Sequence, residues 1–285
     1  MTPMARARTV CGVAYVTALA VALGVGAQLD GVHPLVVVAL ADIAATLVVF
    51  GFSVAFGNSS LYDPYWSVAP IIIAGWWVLA SGFDPRALIA ALLILWWGLR
   101  LTLNFLRGWP DLTHEDWRYQ NLRGQSGAFW PLLNLFGIHL LPTAWVYLGC
   151  LALYPIATSN APFGWLDGIA MAVTALAIAL EAGADRQLHA FRHAQPEGGI
   201  LASGLWAWCR HPNYLGEMGF WWGLWLLGLA ADAGAWWTIV GPISITLLFV
   251  GISIPMIDRR HVARRPGYAA HMRAVPSLIP RPPRV

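Results

Sequence analysis

The sequence predicts an all-α polytopic integral membrane bundle of about seven or eight transmembrane helices with a cytoplasmic C-terminal cap. Three observations carry that expectation. Of the 285 residues, 58% are hydrophobic and 11% are charged, whereas a soluble domain carries roughly 25% charged residues. Apolar runs near 20 residues recur along the chain, each long enough to cross the bilayer as a helix. The arginines gather in alternate loops.

In order, the apolar runs place spans near 10–27, 35–56, 67–82, 86–107, 129–154, 163–190, 214–231 and 235–257. The third is short and the seventh opens on polar residues. Arg6 and Arg8 precede the first span; Arg107, Arg118 and Arg123 follow the fourth. Arg186, Arg192 and Arg210 lie between the sixth and seventh, and seven more follow the eighth. The loops near 28–34, 83–85, 155–162 and 232–234 hold none, which by the positive-inside rule puts both termini in the cytoplasm. All the cations are arginine, a usage that suits a GC-rich bacterial genome and hence a bacterial inner membrane. The first run is long enough to span and lacks a small-residue cleavage site, so no cleavable signal is expected. Cys11, Cys150 and Cys209 are odd in number and mostly within apolar runs, which suits small core residues more than a disulfide frame or zinc site. No basic face interleaved with polar residues stands outside the membrane, and nucleic acid is not expected as a partner.

Polar residues punctuate this background. Between spans two and three, Tyr62, Asp63 and Tyr65 set two phenols around an acid, able to supply a proton donor and its partner or to anchor the interface. In span four, Arg100, Asn104 and Arg107 share one helical face. The polar loop from Asp111 to Arg123 reads either as a self-paired surface loop or as a lid over a polar ligand. In span six, Glu181, Asp185 and His189 stack at i, i+4 and i+8, with Arg192 close behind. Acids at membrane depth face a partner or water. A metal is not expected, because a di-iron site draws Glu-x-x-His motifs from several helices and His139 is the obvious span-borne histidine.

The densest chemistry lies at 204–217, Gly-Leu-Trp-Ala-Trp-Cys-Arg-His-Pro-Asn-Tyr-Leu-Gly-Glu. Arg210 and His211 bring potential cations, Pro212 fixes the backbone, and Asn213, Tyr214 and Glu217 add an amide, a phenol and a carboxylate. From residue 258 onward, seven arginines face one acid, Asp258. Such a tail attracts anionic membrane lipids or, folded over a cavity, grips phosphate. Gly219-x-x-x-Gly223 permits close helix packing.

The segment Gly204-Leu205-Trp206 … Arg210-His211-Pro212-Asn213-Tyr214-Leu215-Gly216-Glu217 resembles the C-terminal domain of the steroid 5-alpha-reductase family, in particular its bacterial DUF1295-type branch. Glu181 … Asp185 and Arg265-Pro266-Gly267-Tyr268 … Leu278-Ile279-Pro280 resemble that branch too, and the likeness covers roughly 58–282. The Arg-His-Pro core also resembles isoprenylcysteine carboxyl methyltransferases and phospholipid methyltransferases. The reductase resemblance implies that residues 180–282 hold NADPH in a polar cavity, while a lipophilic substrate enters an apolar cavity from the bilayer. By motif, Asn213 and Glu217 would meet the nicotinamide, Asp185 and Arg192 the sugar and phosphates, and Arg210, Arg264 and Tyr268 would close the phosphate side; Glu181, His211 and Tyr214 are also expected to bind the cofactor. Tyr62, Asp63 and Tyr65 stand nearest to the carbonyl-polarising groups of the steroid enzymes, and Trp97 stands at the alignable span-four position. The expected function is an NADPH-dependent reductase of a conjugated C=C in a lipophilic enone; the alternative is an S-adenosylmethionine-dependent lipid methyltransferase.

Overall fold

A computed structural model of the chain describes residues 2–194 and 199–282. Every regular element among them is helical: α1 (Pro3–Gly26), α2 (Pro34–Ala55), α3 (Tyr65–Ala80), α4 (Pro85–Gly108), α5 (Trp117–Thr158), α6 (Trp165–Ala194), α7 (Pro212–Ala231), α8 (Ala233–Arg264) and α9 (Tyr268–Ala274). Within α5, Gly127 (φ +50°) breaks the axis, and Leu133–Leu140 winds as a π-helix. Six of these, α1, α2, α4, α5, α6 and α8, are long and apolar enough to cross a membrane. The third and seventh expected spans are the helices outside that group. At 16 residues and 1.5 Å rise, α3 is only about 24 Å long, and α7 opens on Asn213, Tyr214 and Glu217.

The helix starts follow from local chemistry. Prolines occupy the first turn of α1, α2, α4 and α7, where the missing N–H costs nothing. Ahead of them, the Thr2 hydroxyl accepts from Ala5 N (3.2 Å), His33 Nδ1 from Leu35 N (3.2 Å), and Asp84 Oδ1 from Arg86 N (2.8 Å). Each cap satisfies a donor that the helix leaves unpaired.

The chain divides into two compact units, Met1–Ala157 and Thr158–Val285. In the first, α1 packs on α2 and α3 on α4. The buried face of α1 is a narrow stripe of Ala7, Cys11, Ala14 and Ala18, and its other faces are apolar and exposed, as a lipid-facing helix requires. Between α2 and α3, residues 57–63 interlock with 109–119. The Asn58 amide donates to the Leu112 and His114 carbonyls (2.8 and 3.0 Å), Ser59 N donates to Glu115 (2.8 Å), and Asp116 N donates to the Ser60 hydroxyl (2.8 Å). The polar loop at 111–123 therefore spends its groups on its own chain, including an Arg123–Glu115 ion pair at 2.9 Å.

In the second unit, α6 and α7 lie in close contact along a seam of small residues. A Cβ on Gly216 would stand 2.6 Å from the Glu181 Cβ and 2.8 Å from the Ala177 carbonyl oxygen; one on Gly219 would meet the Ala177 Cβ at 3.0 Å; one on Gly223 would meet Thr174 N at 2.8 Å. Residues 174, 177 and 181 on α6 thus face 223, 219 and 216 on α7, and the Gly-x-x-x-Gly pair is used inside the chain. Cys11, Cys150 and Cys209 are buried free thiols.

The seam predicts a stability effect. Gly216→Ala should destabilise the detergent-solubilised protein by about 1–3 kcal/mol, the usual cost of overpacking, read as a lower melting temperature. Gly75→Ala, whose Cβ meets nothing within 4 Å, should leave that temperature unchanged or raise it.

Candidate functional site

Each unit contains a cavity, and the two differ in chemistry. The cavity of the first unit, about 480 Å³, is walled by apolar residues of α1, α2 and α3, with Tyr15, Asp42, Tyr65 and Trp76 among its lining. Asp42 is buried in the apolar helix α2. Tyr65, at the first turn of α3, donates its phenolic hydrogen to Asp42 Oδ1 (2.6 Å). The other carboxyl oxygen, Oδ2, is buried without a hydrogen-bond partner. A buried polar atom left so is costly, and here it borders the cavity.

Of the three residues expected to do chemistry, Tyr65 lines this cavity and the other two do not. The Tyr62 ring stacks against that of Tyr65 with centroids 5.2 Å apart, but its hydroxyl meets Thr143 Oγ1 (2.7 Å). Asp63 accepts from the Tyr119 hydroxyl (2.5 Å) in the interlocked loops. Burial pushes its carboxyl up to about 6, against the opposing influence of Arg118 and the Tyr119 hydrogen bond. The acid beside the cavity phenol is thus Asp42, a residue missed at the level of sequence. Its signal was available: one carboxylate inside an otherwise apolar span is a functional hypothesis by default. His139 contributes to structure, with Nδ1 against the Asn134 carbonyl (2.9 Å) and Nε2 against the Ser53 hydroxyl (3.0 Å).

The second cavity, about 140 Å³, is basic. Its wall includes Arg192 of α6, Arg210 and His211 before α7, Asn213 and Tyr214 in the first turn of α7, His261 and Arg265 at the end of α8, and Tyr268 and His271 of α9. Asp258 organises this wall. Its carboxylate accepts from Arg210 Nη2 (2.7 Å), the Tyr268 hydroxyl (2.9 Å) and His211 Nε2 (3.0 Å). Arg210 Nη1 donates to the carbonyls of Val275 (2.6 Å) and Met272 (3.2 Å). The backbone adds Arg210 N to the Pro276 carbonyl (2.8 Å) and His211 N to that of Ser277 (3.1 Å). Gly267, at φ +84°, makes the left-handed turn that brings Tyr268 back to Asp258. Burial and the Asp258 carboxylate push the Tyr268 phenol above its ordinary value, so it stays a donor.

Arg210 Nε and His261 Nδ1 are buried without partners. Among the described residues the lining holds no carboxylate, and Asp258 already has the Arg210 guanidinium against it. The wall is therefore cationic in balance, with the Arg210 Nε donor unspent and a His261 nitrogen that donates or accepts according to its tautomer. A phosphate group fits that donor set.

Six of the ten residues expected to bind a cofactor line this cavity: Arg192, Arg210, His211, Asn213, Tyr214 and Tyr268. Glu181 and Glu217 are buried along the α6–α7 seam, where Glu217 accepts from Trp221 Nε1 (3.0 Å), and Asp185 lies outside the lining. Arg264 ends α8 exposed, whereas Arg265 leaves the helix in extended conformation (φ −127°) and lines the cavity in its place. His261, Arg265 and His271 were in view as part of a basic tail, but helical spacing alone does not say which members of such a tail turn inward.

Asp258 carries a measurable consequence. Asp258→Asn leaves the buried Arg210 guanidinium uncompensated, a change that costs about 3–5 kcal/mol in buried pairs. The melting temperature should fall clearly, whereas Arg264→Ala, at an exposed position, should leave it unchanged.

The model of the family described as "Protein of unknown function (DUF1295)" matches residues 49–275. An uncharacterized protein of Schizosaccharomyces pombe is 28% identical over 278 residues, covering 87% of this chain and 80% of the relative. No solved structure matches the chain. The family match spans α3 to α9 entire, and with them both members of the Asp258–Arg210 pair and the Tyr65 phenol: the chain belongs to the DUF1295 family.

Proposed function

We propose that this membrane protein is an NADPH-dependent reductase acting on the conjugated C=C of a lipophilic enone. The observation that carries the reading is the charge of the second cavity. NADPH presents a pyrophosphate and a 2′-phosphate, whereas S-adenosylmethionine presents a sulfonium and an ammonium against one carboxylate. Arg192, Arg210 and Arg265, with no acid among the described lining residues, suit the former and oppose the latter, which favours reduction over methyl transfer. The cavity has room for a phosphate group of the cofactor, with Arg210 Nε as an open donor, His261 Nδ1 as a second in the tautomer that carries its hydrogen there, and Arg192 and Arg265 supplying charge. Bound there, NADPH supplies the hydride.

The chain's own part in the reaction belongs to the first cavity. The apolar walls on α1, α2 and α3 take the body of a lipid-soluble substrate and exclude water. Asp42 Oδ2, carrying a proton, donates to the carbonyl oxygen on which negative charge develops. Tyr65, hydrogen-bonded to Oδ1, fixes the orientation of that carboxyl and withdraws electron density from it. Donors aimed at developing charge in a dry site are the largest single contribution in many enzymes.

Titration of the detergent-purified protein with NADPH, NADH and S-adenosylmethionine tests this. NADPH should bind saturably and at least about tenfold more tightly than NADH, the effect of one charge-assisted contact of about 1.5–3 kcal/mol. Saturable S-adenosylmethionine binding with none of NADPH would sink the reading.

A pH dependence follows as well. Burial, and then the neighbouring Arg210, hold His271 below its ordinary value, so it is neutral at pH 7 and gains charge only in acid. The other charged or titratable groups of that wall are Arg192, Arg210, His211, His261, Arg265 and Tyr268, with Asp258 behind them. An anion favours the protonated ring, so NADPH affinity should rise as pH falls below about 6.5, and His271→Gln should flatten that rise.

A further inference from the structure

Outside the lining of both cavities, α6 ends in a feature that neither the fold nor the proposed reaction uses. His189 and His193 stand one helical turn apart, and both are exposed. Their Nε2 atoms are 3.1 Å apart, with the rings at 72° to one another. As a neutral hydrogen bond, this arrangement needs one Nε2 to carry the hydrogen while the other presents a lone pair. The same separation suits two ligands of one metal ion. With Zn–N bonds of about 2.0–2.1 Å, nitrogens at this distance close a ligand–metal–ligand angle of about 98°, between octahedral and tetrahedral.

We propose that His189 and His193 chelate a divalent transition-metal ion that prefers imidazole: zinc, nickel or copper. The proposal rests on neither cavity. A helix of 30 residues fixes the spacing of the two side chains, so no folding step accompanies binding. The ion sits off the line between the two Nε2 atoms so that both bonds reach about 2.0–2.1 Å; the hydrogen they shared moves to Nδ1 of its ring, and each ring then carries its hydrogen on Nδ1. Among the described residues no cluster of three or more His, Cys, Asp or Glu side chains is placed to hold a metal. Water therefore fills the remaining positions, and the ion is exchangeable. Imidazole nitrogens suit these three metals, and the affinity order ends at Cu²⁺.

The experiment is a calorimetric titration of full-length protein carrying no histidine tag, in a non-chelating buffer near neutral pH, with Zn²⁺ and with Ni²⁺. One saturable site is expected for each ion. Binding should be lost in His189→Ala and in His193→Gln, and it should fade below about pH 6 as the rings protonate. Glutamine keeps the size and hydrogen-bonding capacity of His193 but not its ligation, so His193→Gln separates a chelate from a hydrogen-bonded pair. Both positions are exposed, and unchanged melting temperatures will show that the variants are folded. Undiminished binding to His193→Gln, or no binding to the native protein, would overturn the proposal.

Discussion

One buried carboxylate organises the non-helical part of the second unit. Asp258 accepts from Arg210, His211 and Tyr268, groups that arrive from the segment before α7 and from the start of α9. Removing a charge from water is expensive unless partners and hydrogen bonds compensate it, and here three donors do so. The choice of partners also sets the electrostatics of the adjoining cavity. Asp258 and Arg210 neutralise each other, which leaves Arg192 and Arg265 as the uncompensated charge of the wall.

The two cavities illustrate opposite ways of making a buried site. In the first unit, largely apolar helices line a large space, and the hydrogen-bonded Asp42 and Tyr65 stand among its few polar groups, with Tyr15 and Asp30. In the second, a small space is bounded by cations, and its wall holds the unspent Arg210 Nε donor. The first suits a molecule that is mostly hydrocarbon with one polar end; the second suits a compact anion. Both rest on the same device. A local network satisfies all but one atom of a key group, Oδ2 in Asp42 and Nε in Arg210, and holds that atom in place.

Much of the fold was legible in the sequence, because hydropathy and helical length act locally. The apolar runs located the helices, although α1, α5 and α8 extend beyond them, since a helix continues into water wherever caps and propensity allow. The Arg-His-Pro segment was legible for the same reason: five different polar groups within eight residues have no use in a plain loop. Asp42 stood out only as a lone acid in an apolar run, and no sequence neighbour reveals its partner. Tyr65 comes to it only through the packing of α3 against α2. Asp63 drew attention by lying next to two tyrosines, yet the chain turns it toward Tyr119. The exchange of Arg264 for Arg265 has a similar cause, since it depends on where α8 ends. Glu181 was expected to contact a ligand because acids at membrane depth need partners, and Glu217 because of the motif it shares with the reductases. What the spacing could not supply is that glycines on α7 draw both acids into a helix–helix seam.

The interlock of residues 57–63 with 109–119 also orders events during synthesis. The donor Ser59 N and its acceptor Glu115 are 56 positions apart, as are Ser60 and Asp116. A chain made from its N-terminus completes α2, α3 and α4 before Glu115 and Asp116 exist. Throughout that interval the connection between α2 and α3 relies on water for its hydrogen bonds, and only local pairs such as Ser60 N with Asn58 Oδ1 (2.9 Å) hold its shape. The hydrophobic helices can therefore enter the bilayer while their connection is still open. The arrival of α5 then closes it, replacing water with Glu115 and the Asn134 side chain. Membrane insertion and the dry packing of this end of the unit are thus separated in time by the order of the residues alone.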